Sequence, residues 1–127
     1  SWDISILMLS NTQKAYLNVA RYLAQKSDLK HKHGAVVVKS GRVLGTGFNK
    51  RRNYPNVIPD GKHREQCHLH AEASAIREAG MNARGGTIFV ARISRSGGDL
   101  LSKPCDNCQK LIDESGIKNV VFTKSDS

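Results

Sequence analysis

Ala35-Val36-Val37-Val38-Lys39-Ser40-Gly41-Arg42-Val43-Leu44-Gly45-Thr46-Gly47-Phe48-Asn49 decides how this chain folds. Ala35 to Val38 is a short, β-branched apolar run, which suits a strand buried on both faces. Ser40-Gly41 marks a turn, and Arg42 to Asn49 reads as the returning strand of a hairpin. Gly45 and Gly47 are weak strand formers. Glycines there mark the close approach of another backbone or of a ligand.

Outward from the hairpin, helices alternate with strands. Upstream, Ser10-Asn11-Thr12 offers N-cap residues, and Tyr16, Val19, Ala20, Leu23 and Ala24 follow at helical spacing to about Lys26. Residues 1–9 stand apart as an N-terminal extension, either a short helix or an apolar segment for a partner subunit. Downstream, residues 50–69 form the longest irregular segment, with Pro55, Pro59, Gly61 and a dense set of cations. A loop of that length inside a compact domain is functional or disordered. His70 to Ala79 reads as a helix that Gly80 stops, and Thr87 to Ala91 as a third strand. Arg92 to Lys103 reads as a loop. Cys105 to Ser115 is a third helix with Pro104 at its first turn, and Gly116 ends it. Asn119 to Thr123 is a fourth strand, and residues 124–127 are a frayed tail. The order α, β-hairpin, α, β, α, β implies one α/β domain over residues 1–127. Its sheet carries helices on its faces, and right-handed crossovers suit parallel pairing of the later strands.

The 127 residues suit a single core, and 39% hydrophobic content is ordinary for a soluble globular protein. No run is long or apolar enough to span a bilayer, and Ile4 to Leu9 lacks the flanks of a signal peptide. The expected address is cytoplasmic, with no membrane partner. Three cysteines cannot all pair, and Cys105 and Cys108 form a C-x-x-C, which points to metal or redox chemistry in a reducing compartment. Lys and Arg number 20 against 11 Asp and Glu, a net charge of +9. That balance suits anionic partners such as nucleotides or nucleic acid, or else a solubilising surface.

The chemistry concentrates in His68-Leu69-His70-Ala71-Glu72 and Pro104-Cys105-Asp106-Asn107-Cys108. Both sit where a predicted helix begins, and in an α/β sheet that is the edge of the ligand crevice. A helix N-terminus favours thiolate, the metal-binding form of cysteine, and i, i+3 spacing brings both sulfurs to one side of the first turn. With His70 as third ligand, a tetrahedral zinc keeps one position open, as catalytic zinc does. Glu72 starts from the same first turn as His70 and can move protons without binding the metal. Two other readings use the same residues. One is a thioredoxin-type redox pair, which leaves His70, Glu72 and Pro104 without a role. The other is a structural zinc with Cys67 or His68 as fourth ligand.

His70-Ala71-Glu72 together with Pro104-Cys105-Asp106-Asn107-Cys108 resembles the H-x-E…P-C-x-x-C signature of the zinc-dependent cytidine deaminase superfamily. Residues 34–123 share the likeness, particularly to deoxycytidylate deaminases. The resemblance implies a three-layer cytidine-deaminase-like fold with a central mixed sheet and helices on both faces. It implies Zn2+ on His70, Cys105 and Cys108, with Glu72 as proton shuttle. Asn49 would contact the sugar and the Ala71 backbone the base, with Phe48 beside them. The sequence also departs from the family. It ends soon after the fourth strand, where most members add a fifth strand and one or more helices, so that edge is expected either to be completed by a partner subunit in a homo-oligomer or to belong to a minimal version of the fold. Its loop from Arg92 to Lys103 is longer, and the segment 50–69 lacks the family's landmarks.

Basic loops 50–64 and 92–103 border the site and favour a phosphate-bearing substrate. The leading expectation is a deaminase of a cytosine mononucleotide or its nucleoside. A deaminase acting on single-stranded DNA or RNA would need aromatic platforms beside the basic groove, for which Tyr54, Phe48 and Trp2 are the candidates. A zinc-stabilised binding module without catalysis would have no use for Glu72.

Overall fold

A computed structural model of the chain describes residues 2–3, 9–51 and 68–125. Its elements are β1 (Trp2–Asp3), α1 (Asn11–Gln25), β2 (Lys32–Lys39), β3 (Arg42–Phe48), β4 (Lys50–Arg51), β5 (His68–Leu69) and α2 (Ala71–Ala79). A 3-10 turn (Gly80–Ala83), β6 (Thr87–Ile93), β7 (Asp99–Leu100), α3 (Asp106–Glu114) and β8 (Asn119–Phe122) follow. The main sheet has the order β1-β8-β6-β2-β3, with β7 added beside β6. It is mixed: β6 and β1 run parallel to β8, while β2 is antiparallel to both β3 and β6. Ala35, Val37, Ile88, Val90, Val120 and Phe122 face α2 and α3 in one buried cluster; Val36, Val38, Phe89, Ala91 and Val121 face α1 in the other. The expected three-layer α/β arrangement, with helices on both faces, is thus the one observed. Among the described residues, no helix is long and apolar enough to cross a membrane.

The hairpin forms as its sequence predicts. Lys39 pairs with Arg42, and both intervening residues, Ser40 and Gly41, have positive φ, 52° and 74°. A two-residue turn of the I′ type requires that, and its twist matches the strands it joins. Where the hairpin lies is less obvious from sequence. β3 and β6 do run parallel, but β2 is inserted between them. The reason is burial: Ala35 to Val38 are apolar on both faces and all buried, so β2 belongs in the centre. β3, with exposed Arg42 and Val43, takes the edge.

The strand glycines let helix backbones touch the sheet. A Cβ on Gly45 or Gly47 would lie closer than 3.0 Å to the Ala75 or Ala71 carbonyl of α2, and one on Gly34 would meet Ala20 and Ala24 of α1. Of the two options left open for Gly45 and Gly47, another backbone is the one observed. Gly47→Ala is therefore expected to push the N-terminus of α2 outward, at a cost of about 1–3 kcal/mol, as overpacking does. Thermal melts and zinc titration check this against Gly98→Ala, whose Cβ meets only Ser94 Oγ at 3.5 Å. Equal melting temperatures in the two variants would sink the argument.

Two short strands escape sequence patterning. Trp2–Asp3 pair with Asn119–Val120, so the edge beside β8, left above to a partner strand or to a minimal fold, is held by the chain's own N-terminal segment. Asp99–Leu100 fold back on Arg92–Ile93, which turns the expected loop from Arg92 to Lys103 into a longer β6, a tight reversal and β7. Arg21 of α1 holds that reversal through a two-pronged pair with Asp99, Nε to Oδ1 at 2.8 Å and Nη2 to Oδ2 at 2.7 Å.

Candidate metal centre

β4 and β5 deliver the first half of the site. Lys50 pairs with Leu69 and Arg51 with His68, so the ends of the intervening segment are clamped together. His70, which follows Leu69, is thereby brought beside Asn49, which precedes Lys50. His70 is the N-cap of α2 and Cys105 the N-cap of α3, both in extended backbone conformation. Neither cap uses its side chain to bond its own helix, so both side chains are free to point elsewhere. Cys108 lies one turn into α3. Ligand atoms of His70, Cys105 and Cys108 all lie within 4.8 Å of one another, and Cys108 Sγ is 3.4 Å from His70 Nδ1.

That geometry fits zinc. Metal–ligand lengths of about 2.3 Å for sulfur and 2.0–2.1 Å for nitrogen put tetrahedral ligand atoms about 3.6–3.8 Å apart. The donors are a mixed imidazole and thiol set, the set zinc takes. His70 Nδ1 is the nitrogen turned toward the sulfur. His70 and Cys105 are exposed while Cys108 is buried, so the triad is backed by the core and open on one side. Of the alternatives for a fourth donor, Cys67 and the His68 side chain lie outside the described residues.

Glu72 is 5% exposed, a carboxyl group in the first turn of α2. Burial raises its pKa, opposed by a hydrogen bond from its own backbone, by His70 and by the Cys108 thiol. Burial likewise pushes the Cys108 thiol up, with Glu72 and Cys105 adding to the shift. A dication held there would reverse the second shift by taking the thiolate, and its binding would release protons. A carboxyl poised to hold a proton beside an open metal position can act as a general acid and base.

The other residues singled out from sequence fall in different places. Ala71 is fully buried and opens α2, so its amide is among the helix's unpaired N–H groups. Asn49 uses its amide on backbone: Oδ1 accepts from His33 N at 2.8 Å, and Nδ2 donates to His31 O. It pins the segment before β2 to the end of β3. Phe48 is not brought to the triad; its ring packs against the cluster under α1, on the far side of the sheet. Tyr54 lies outside the described residues.

Two groups at the site include residues not singled out from sequence, namely Ser102, Thr123 and His33; Arg92 enters the sequence reading only as a cation of the basic loop 92–103. Ser102 and Thr123 form a buried hydroxyl pair two strands apart. Ser102 Oγ donates to Val90 O at 2.8 Å and accepts from Thr123 N at 2.9 Å, while Thr123 Oγ1 accepts from Arg92 N at 3.0 Å. This pair ties the segment entering Cys105 to the ends of β6 and β8. The second group is His33 and Arg92, paired directly across β2 and β6. Side chains alternate along a strand, so His33 shares a face with Ala35 and Val37, and Arg92 with Ile88 and Val90. Both therefore face the α2 and α3 side, at the end where His70 and Cys105 cap their helices. The alternation itself was the available signal.

Burial, then Arg92, His31 and His70, hold His33 at about 4, below its ordinary 6.5. The unfolded chain takes up that proton first. The folded protein thus has the full benefit above 6.5 and loses it as pH falls toward about 4. His33→Gln is expected to flatten the fall in melting temperature across that window, by at most about 3 kcal/mol at the acid end. Acid release of zinc is common to both proteins, so the difference between their melting curves isolates His33. Parallel curves would show that His33 does not titrate as argued.

The profile of the cytidine and deoxycytidylate deaminase zinc-binding region matches residues 10–124. The deoxycytidylate deaminase of Mycobacterium phage D29 is 35% identical over 130 residues, covering 86% of this chain and 91% of that one. The riboflavin biosynthesis protein RibD of Aquifex aeolicus is 30% identical over 129 residues, 94% of this chain but 30% of the longer protein. The crystal structure of dCMP deaminase from the cyanophage S-TIM5 in complex with dCMP and dUMP superposes with a TM-score of 0.66 at 26% identity, covering 91% of this chain and 82% of that one.

Proposed function

The chain belongs to the zinc-binding cytidine and deoxycytidylate deaminase family, and from that premise we propose that it hydrolyses the amine of a cytosine mononucleotide, with dCMP the preferred substrate. The observation that carries the reading is the buried Glu72 carboxyl beside an open-sided His70, Cys105 and Cys108 triad. Zinc held by those three residues would supply Lewis acidity that activates water near neutral pH. A C–O bond forms at C4 of the base, the C4–N bond breaks, and ammonia leaves. Both protons of the attacking water are accounted for: one goes to the ring nitrogen N3 and one to the departing amine. Glu72 carries them, accepting each from the water and releasing it to the base. The raised pKa of its buried carboxyl suits that work. The unpaired Ala71 amide faces the base, and Asn49 holds the sugar side. Cys105 and Cys108, both free cysteines, suit the reducing cytoplasm expected for the chain.

A mononucleotide is favoured over a polynucleotide on two grounds. Two similar proteins are named as deaminases of deoxycytidylate or dCMP. Phe48, a candidate platform for stacked bases, packs under α1 instead. Ammonia release from dCMP, CMP, deoxycytidine, cytidine, single-stranded DNA and RNA by the zinc-loaded protein tests the proposal. Turnover of dCMP above the other substrates is expected; turnover confined to polynucleotide would refute it.

A further inference from the structure

A half-buried cation that has no counter-charge among the described residues sits beside the candidate centre. Arg92 ends the site-facing row of β6, and its backbone is held on three sides. It pairs with His33 of β2 and with Leu100 of β7, and its amide donates to Thr123 Oγ1. Its Nη2 lies 2.8 Å from His31 Nδ1. An imidazole that accepts a guanidinium proton at Nδ1 carries its own proton on Nε2, so exposed His31 presents a second donor. Arg92 Nε is buried and has no hydrogen-bond partner among the described residues. No carboxylate lies within ion-pair distance of Arg92 among them either, since Asp99 on the adjoining β7 is engaged by Arg21. A fixed guanidinium in that setting is costly until an anion meets it, and its planar fork matches phosphate oxygens.

We propose that Arg92 and His31 form a phosphate-binding subsite that takes the 5′-phosphate of the nucleotide whose base lies at His70 and Glu72. The inference rests on the mononucleotide reading above and names the residues that would make it selective for the nucleotide over the nucleoside. Asn49 fits between the two ends: it precedes the Lys50 and Leu69 pair of the β4–β5 ladder that His70 follows, and its side chain bonds the backbone of His31 and His33. Base, sugar and phosphate positions would then run from the triad across the ends of β3, β2 and β6. Because β7 and Thr123 fix the Arg92 backbone and His31 contacts its guanidinium before any ligand arrives, the ordering cost left for binding is reduced.

The test compares zinc-loaded wild type with Arg92→Ala, Arg92→Lys and His31→Ala on dCMP and on deoxycytidine, with zinc content and melting temperature measured on each. Losing a charged hydrogen-bonding partner should lower kcat/KM for dCMP by about 30- to 100-fold in Arg92→Ala, mostly through KM. Deoxycytidine turnover should stay within about twofold, and Arg92→Lys should recover part of the loss. Stabilisation by dUMP beyond that by deoxyuridine should disappear in Arg92→Ala. Equal losses on both substrates, or none on either, would overturn the subsite. A wild type that is inert toward dCMP, yet stabilised by inorganic phosphate only when Arg92 is present, would support the subsite and sink the substrate reading.

Discussion

Glu72→Gln protein is expected to fold, bind zinc at His70, Cys105 and Cys108 as the wild type does, and lose turnover of dCMP by a factor of about 10²–10⁴, the range a positioned acid–base group supplies. The amide is isosteric with the carboxyl but cannot carry a proton. Two readouts separate chemistry from structure. Zinc content by metal analysis should not change, because Glu72 is not among the three grouped ligands. Metal-free Glu72→Gln protein should be at least as stable as metal-free wild type at neutral pH. The side chain is 5% exposed, and burial penalises its ionised form. A variant that keeps most of its activity would remove Glu72 from the mechanism. One that loses zinc in step with activity would make it structural.

Cys108→Ser is the second variant with a large expected effect. Cys108 is 4% exposed, 3.4 Å from His70 Nδ1, and anchored in the first turn of α3. Serine cannot offer a thiolate, so zinc affinity should fall by well over about 100-fold, more than the ~10–100-fold that loss of a ligand's outer hydrogen-bond partner costs. Zinc at 100 times its dissociation constant stabilises a folded protein by about 2.7 kcal/mol. The rise in melting temperature that zinc gives the wild type should therefore vanish in the variant, along with deamination. A redox role for Cys105 and Cys108 predicts the opposite pattern: thiol–disulfide exchange lost, zinc response absent from the wild type as well. Unchanged zinc binding in Cys108→Ser would mean that another donor completes the site.

Much of this was legible in the chain. Ser10 caps α1 through reciprocal bonds with Gln13, as residues of its type at a helix start do. Ser40-Gly41 closes the hairpin, and α2 and α3 begin at the histidine and the cysteine where the motifs fall. These are local signals, carried by neighbours three or four residues apart. The misses are non-local. β1 and β7 have two residues each, too few to show a period, and exist only because β8 and β6 offer them partners. The place of β2 between β3 and β6 follows from how much of each strand the assembled core buries.

The candidate site divides along the same line. His70, Glu72, Cys105 and Cys108 declare themselves by residue type and spacing, since a metal ligand needs a particular donor atom and the helix start supplies the geometry. That donor set and the alternation of elements are what the sequence by itself determined. Which other side chains face the set was decided by the tertiary structure. Phe48 turns to α1, Asn49 pins the entry to β2, Ser102 and Thr123 hold the cysteine segment, and His33 and Arg92 meet across two strands 59 residues apart (92 − 33). Facing is set by strand register, and register is fixed by pairing between segments distant in sequence, where a shift of one residue would turn each of these side chains to the other face.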